Sequence, residues 1–223
     1  MTGSEATRLY NAVPAPLPGF ENIGRYWDAK HNVYAAKIIQ GEYYVSGTDE
    51  MITTVLGSCV AACIRERRMG LGGMNHFMLP GDETTRDRWQ HSPVNVMARY
   101  GTVAMERLIN AIFAQGGERR NLEIKLFGGG RVLDIGTDIG KLNIDFARTY
   151  LAKEGFRVAA EDLGGVHPRK IMYFPGSGRV FVKKLFKLHN DTLVKRERKY
   201  YEQLRTLPES HEVELFSDSP RSG

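Results

Sequence analysis

Cys59 follows Gly57-Ser58 in the run TTVLGSCVAACI, and His76 ends the run GLGGMNH. A cysteine and a histidine together suit nucleophilic catalysis. A thiol of ordinary pKa near ~8.5 is only a few per cent ionised at neutral pH, so it needs a neighbouring imidazole to take its proton and pass it to a leaving group. Gly57-Ser58 lets the backbone turn tightly and leaves N–H groups free near the sulfur. Gly57 and Ser58 are therefore candidates for an oxyanion hole in acyl transfer. A third group must fix the imidazole tautomer. Asn75 is adjacent to His76 and on a strand would point to the opposite face. Thr53 and Thr54 lead into Gly57, and either hydroxyl suits the imidazole N–H; the residues themselves leave both open. Cys63, inside VAACI, reads as packing.

Other chemistries fit less well. Cys59, Cys63, His76 and His91 make a nominal set of four zinc ligands, but the C-x3-C spacing lacks a knuckle, and no metal is expected. Phe127-Gly128-Gly129-Gly130 has neither dinucleotide nor P-loop spacing and reads as a tight turn. No cofactor is expected. The formal charge of +5 is spread over Arg65–Arg68, Arg119–Arg120, Lys183–Lys187 and Lys195–Lys199, with no nucleic-acid module beside it. No apolar run approaches a membrane span, and the N-terminus lacks the layout of a secretory signal, so a cytoplasmic protein with free thiols and no membrane insertion is expected.

The elements that must position Cys59 and His76 come from the apolar period. With 42% hydrophobic residues in a chain of 223, a sizeable core is expected. Strand-like runs cover 33–39, 51–56, 60–64, 74–79, 122–127, 158–160, 171–174 and 180–185. Helical patterns cover about 95–114 and 143–154, each ended by glycine. A charged third helix is expected near 191–207, with Tyr200, Tyr201 and Leu204 as its apolar handle. The expected organisation is an extended arm at 1–20, one domain at 21–190, the helix, and a disordered tail at 208–223. The mixture gives an α+β (mixed α/β) layered domain.

The ordered series LGSCVAACI, GGMNHFMLP, KLFGGG, IGKLN, DLGG, RKI and GSGRVFVKKL resembles the chemoreceptor glutamine deamidase family, CheD, over about residues 42–185. The resemblance implies conversion of glutamine side chains to glutamate on chemotaxis receptor helices through a cysteine thioester, with some glutamyl methyl ester hydrolysis. It implies a catalytic Cys59, His76 and Thr53, the threonine lying six positions before the cysteine. It further implies a four-layer α/β/β/α sandwich with mixed sheets, similar to the cytotoxic necrotizing factor deamidases, and a CheC-type phosphatase as a partner. A regulatory binding role beside that phosphatase, with little catalysis, is the alternative. His167-Pro168 and Gly130 depart from the family pattern, whereas the three catalytic positions do not.

Overall fold

The computed structural model describes residues 13–80, 96–133, 137–186 and 191–206. Expectations for the first and last residues of the chain, and for His91, lie outside these. Among the described residues ten strands form two five-stranded sheets. The first runs β1 (Gly24–Asp28), β2 (Val33–Lys37), β4 (Glu50–Leu56), β9 (Arg169–Phe174), β10 (Arg179–Lys184). The second runs β3 (Tyr43–Ser46), β6 (Leu71–Asn75), β5 (Val60–Glu66), β7 (Leu122–Gly128), β8 (Val158–Leu163). Each sheet contains one parallel pair, β2 with β4 and β7 with β8, and is otherwise antiparallel. Helix α1 (Val96–Ala114) packs on β3, β5 and β6, and α2 (Ile139–Lys153) on β5 and β7. Helix α3 spans Asp191–Thr206. The expected α+β sandwich with mixed sheets is present.

One apolar cluster joins Ile52, Leu56 and Ile171 of the first sheet to Val60, Ile64, Met74 and Leu126 of the second and to Leu108, Ile112, Ala147 and Leu151 of the helices. Met51 of β4 belongs instead to a small cluster with Val33 and Ala35. Side chains alternate along a strand, so odd positions of β4 face away from the second sheet and even positions face it. That parity decides which threonine reaches the site.

The strand expected at 74–79 is displaced: β6 begins at Leu71 and runs through Gly72-Gly73. The glycines are inside the strand because α1 and β3 lie so close. A Cβ on Gly73 would stand 2.4 Å from the Tyr44 carbonyl oxygen and 2.7 Å from Leu108 Cδ1. Helix α2 starts four residues earlier than the apolar period indicates, where Asp138 caps it by accepting from the Lys141 N–H at 2.9 Å. β1, largely exposed, and β3, four residues long, carry no alternation long enough to read in the sequence.

Short crossings join the two sheets. β4 passes directly to β5 through Gly57-Ser58-Cys59, and β8 passes to β9 through residues 164–168. Buried Arg169 ties the second crossing: its guanidinium donates to the Asp162 carbonyl at 2.5 Å, to the Asp162 carboxylate and to the Gly164 carbonyl. Arg169→Met would leave these acceptors unpaired, and we expect urea denaturation to show a loss of about 3 kcal/mol. A loss under ~1 kcal/mol would show that the crossing holds without it.

Candidate active site

The turn 57–59 is held by its carbonyls. Gly130 N–H donates to the Gly57 carbonyl at 2.7 Å, and Gly129 N–H donates to that of Cys59 at 2.7 Å. The Asn143 side-chain amide, projecting from α2, donates to the Ser58 carbonyl at 2.8 Å, while its oxygen accepts from Leu79 N–H at 2.8 Å. The glycine run at 128–130 is thus a clasp on the cysteine turn. Gly128 has φ +110° and Gly129 φ +66°, and a Cβ on Gly128 would lie 2.2 Å from the Cys59 oxygen.

A planar trans peptide points its N–H opposite to its C=O. Pinning the Gly57 carbonyl therefore aims Ser58 N–H the other way. The N–H groups of Gly57 and Ser58 converge on the Glu197 carboxylate of α3 at 2.8 and 2.9 Å, and the Ser58 hydroxyl donates to it at 2.7 Å. The two residues singled out as oxyanion donors thus form one anion-binding nest. Cys59 is fully buried beside it. Burial, followed by the charge of Glu197 and a hydrogen bond to it, pushes the thiol pKa well up.

His76 stands one residue past β6. Val60 and Phe77 exchange both backbone bonds, at 3.0 and 2.9 Å. Cys59 and His76 precede this pair by one residue on each chain, a diagonal placement for which strand pleating gives roughly 7–8 Å between α-carbons, and the sulfur makes no hydrogen bond to the imidazole Nε2. His76 Nδ1 lies 2.8 Å from Thr54 Oγ1. That hydroxyl gives its only hydrogen to the Ile38 carbonyl at 2.8 Å, so Nδ1 must be the donor and Nε2 carries the lone pair. Nε2 is buried and has no hydrogen-bond partner among the described residues. Burial, and secondarily Arg196, push the imidazole pKa down to about 3, so the ring is neutral at rest. A small cleft of about 50 Å³, between Gly41–Tyr43 and Tyr100–Arg107, reaches His76.

Thr53 is not part of this arrangement. Its hydroxyl donates to the Ile171 carbonyl of β9 at 2.8 Å, on the face of β4 away from His76. The resemblance assigns a catalytic role to Thr53, six positions before the cysteine; the contact with His76 is made by Thr54, which strand parity puts on the inner face with Ile52 and Leu56. Asn75, as expected, does not orient its neighbour. It accepts from Ala62 N–H at 2.8 Å and donates to the Ala104 carbonyl of α1 at 2.9 Å. Cys63 is packed in the core. Among the described residues no group of three or more His, Cys, Asp or Glu is arranged to hold a metal. The residues themselves left Thr53 and Thr54 open, and His76 contacts Thr54; sequence reading missed Asn143 as a clamp and Glu197 entirely. The one available signal for Glu197 was its place, four residues from Leu193 and from Tyr201, on the apolar stripe of α3.

A buried cysteine beside two convergent backbone donors, with a neutral histidine held in one tautomer by a threonine, has the parts of a cysteine-dependent acyl-transfer enzyme. The chain belongs to the CheD family. The family profile described as CheD chemotactic sensory transduction matches residues 78–184. The chain is 54% identical over 204 residues to a protein of Halorhodospira halophila named probable chemoreceptor glutamine deamidase CheD, covering 92% of this chain and 94% of that one. It is 53% identical over 194 residues to a protein of the same name from Herminiimonas arsenicoxydans, covering 86% and 94%. No helix among the described residues is long and apolar enough to cross a membrane.

Because the folded imidazole takes a proton only near pH 3 whereas a free one does so near 6.5, protons bind preferentially to the unfolded chain between these values. Stability should accordingly be intact above about pH 6.5 and decline as pH falls through that window. Nitrogen-15 imidazole spectra should show His76 as the Nδ1–H tautomer without titrating from pH 8 to 5. A protonation midpoint inside that range would contradict the geometry.

Proposed function

We propose that this chain hydrolyses the carboxamide of selected glutamine side chains on chemotaxis receptors, giving glutamate and ammonia. The observation that carries the reading is the convergence of the Gly57 and Ser58 N–H groups on one anion beside Cys59. Both the family and the names of its members agree with it.

In this mechanism His76 Nε2 takes the thiol proton and the Cys59 sulfur attacks the carboxamide carbon. The carbonyl oxygen becomes an oxyanion, held by the Gly57 and Ser58 N–H groups. The imidazolium then protonates the nitrogen, the C–N bond breaks, ammonia leaves and a thioester remains. Water attacks the thioester while Nε2 takes its proton. The C–S bond breaks, glutamate departs and the thiol is restored. A glutamyl methyl ester enters the same thioester with methanol as the leaving group.

Thr54 acts as the positioning residue: it accepts from Nδ1–H and so keeps Nε2 basic. We place it in the role that the resemblance assigns to Thr53. Each conversion adds a negative charge to a receptor helix, which changes how helices pack against neighbouring charges. The enzyme works on receptor segments reached from the cytoplasm. A CheC-type phosphatase partner is carried into this proposal from the resemblance, and the chemistry does not depend on it.

Receptor fragments incubated with the enzyme should gain about one dalton per converted glutamine, as NH2 is replaced by OH. Cys59→Ala should abolish the gain; a retained rate would remove the cysteine from the mechanism. Thr54→Val should lower kcat about 10- to 100-fold, the value of one hydrogen bond to a buried base, and shift the pH profile. Thr53→Val should stay within a few-fold of wild type. The reverse order of the two threonine variants would restore Thr53 to the site.

A further inference from the structure

Helix α3 turns Leu193, Tyr201 and Leu204 toward the domain, and Glu197 stands fully buried in the middle of that stripe. A buried carboxylate needs complete pairing. Glu197 finds it on Gly57 N–H, Ser58 N–H and the Ser58 hydroxyl, at 2.8, 2.9 and 2.7 Å, and on the Cys59 thiol. These are the donors that the mechanism reserves for the oxyanion, together with the nucleophile itself. Gly57 permits the approach, since a Cβ there would lie 2.6 Å from Glu197 Oε1. One turn further along, Tyr200 is hydrogen-bonded through its hydroxyl to that of Tyr100 at 2.6 Å, beside the cleft that reaches His76.

A glutamate carried on a helix, with its carboxylate on the oxyanion donors and against the cysteine, is chemically the product of glutamine deamidation. We propose that α3 is a product mimic in cis: it fills the groove in which a receptor helix presents its glutamine, with Glu197 in the side-chain subsite, and excludes substrate while seated. The inference rests on the deamidase reading above. It also describes the substrate. The groove accepts a helix with apolar side chains four residues before the target and four and seven residues after it, as Leu193, Tyr201 and Leu204 flank Glu197. Substrate must displace α3, so turnover is lowered by the fraction of molecules in which the helix is seated.

Full-length Glu197→Ala and Glu197→Gln test this against wild type. Three readouts are followed: the rate of Cys59 alkylation by iodoacetamide, mapped by peptide mass to separate it from Cys63, the deamidation of receptor fragments, and intact mass. With the carboxylate gone, Glu197→Ala should raise both alkylation and deamidation about tenfold or more, as several charge-assisted hydrogen bonds are lost. Glu197→Gln puts a carboxamide where the product group sat. The chain should deamidate itself, gaining about one dalton and returning to the wild-type mass. Adding Cys59→Ala to Glu197→Gln should freeze that mass.

Alkylation and deamidation in Glu197→Ala that stay at or fall below wild-type rates overturn the proposal. A Glu197→Ala gain without self-conversion of Glu197→Gln overturns the subsite assignment and leaves α3 as a simple cover. If alkylation rises but no form deamidates receptor, the activity fails while the occlusion stands. If wild type deamidates receptor and Glu197→Ala changes nothing, the activity stands and the occlusion fails.

Discussion

Everything chemical in this molecule depends on three carbonyl groups being held still. A backbone turn with free N–H groups is not by itself an oxyanion site, because a flexible turn rotates its peptides toward whatever solvent offers. Here the carbonyls of Gly57, Ser58 and Cys59 are each taken by a separate donor, from Gly130, Asn143 and Gly129. The Ser58 N–H, in the peptide whose carbonyl Gly130 holds, then has one direction left, while the Gly57 N–H belongs to the peptide of the Leu56 carbonyl at the end of β4. Such preorganisation is set during folding rather than at the moment of reaction, which is why fixed dipoles stabilise a developing charge better than mobile ones. The clasp draws on β7, on α2 and on the loop between them, so the whole second sheet and its helix layer serve the geometry of three residues.

The position of the turn follows from the same topology. It links a strand of one sheet directly to a strand of the other, so Cys59 lies where the two layers meet. His76 arrives from the second sheet and Thr54 from the first, and their hydrogen bond spans the layers. Neither sheet alone assembles the site. The packing that stabilises the sandwich therefore also sets the distances among these side chains, and the burial that results determines the electrostatics.

The sequence made much of this legible, and its failures have identifiable causes. Cys59 after Gly57-Ser58, His76 on the returning strand, the two long helices and most of the strands follow from residue type and period. Thr53 and Thr54 could not be separated by spacing, because the choice depends on which face of β4 meets the second sheet, and both faces of that strand are buried. Gly72-Gly73 resembled a strand boundary, since the neighbours that require two missing side chains, β3 and α1, are remote in sequence. The FGGG run was legible as a tight turn, but nothing local shows that its N–H groups reach back some seventy residues to the cysteine. Glu197 reads as one charge among many on a solvated helix. Its burial is visible only when the stripe of Leu193, Tyr201 and Leu204 is known to face the domain.

The resting thiol and imidazole are both uncharged because of their surroundings. Burial raises the Cys59 thiol and lowers the His76 imidazole, so the thiol–imidazole pair is favoured over the thiolate–imidazolium pair, and Glu197 adds to the penalty on the thiolate. The same physics separates substrate from product. In the proposed mechanism a neutral carboxamide on the Gly57 and Ser58 donors places no charge beside the sulfur, so the proton can move to Nε2 and the oxyanion that then forms is met by waiting N–H groups. A carboxylate in that place is itself an anion next to the nucleophile, and it holds the sulfur protonated. On that mechanism the nest binds the product's charge while the cysteine is silent, and it serves the reaction only when the group it receives is neutral. An enzyme built this way is protected from attacking its own product, and any carboxylate that reaches the nest, including one carried by the chain itself, acts as a restraint on its nucleophile.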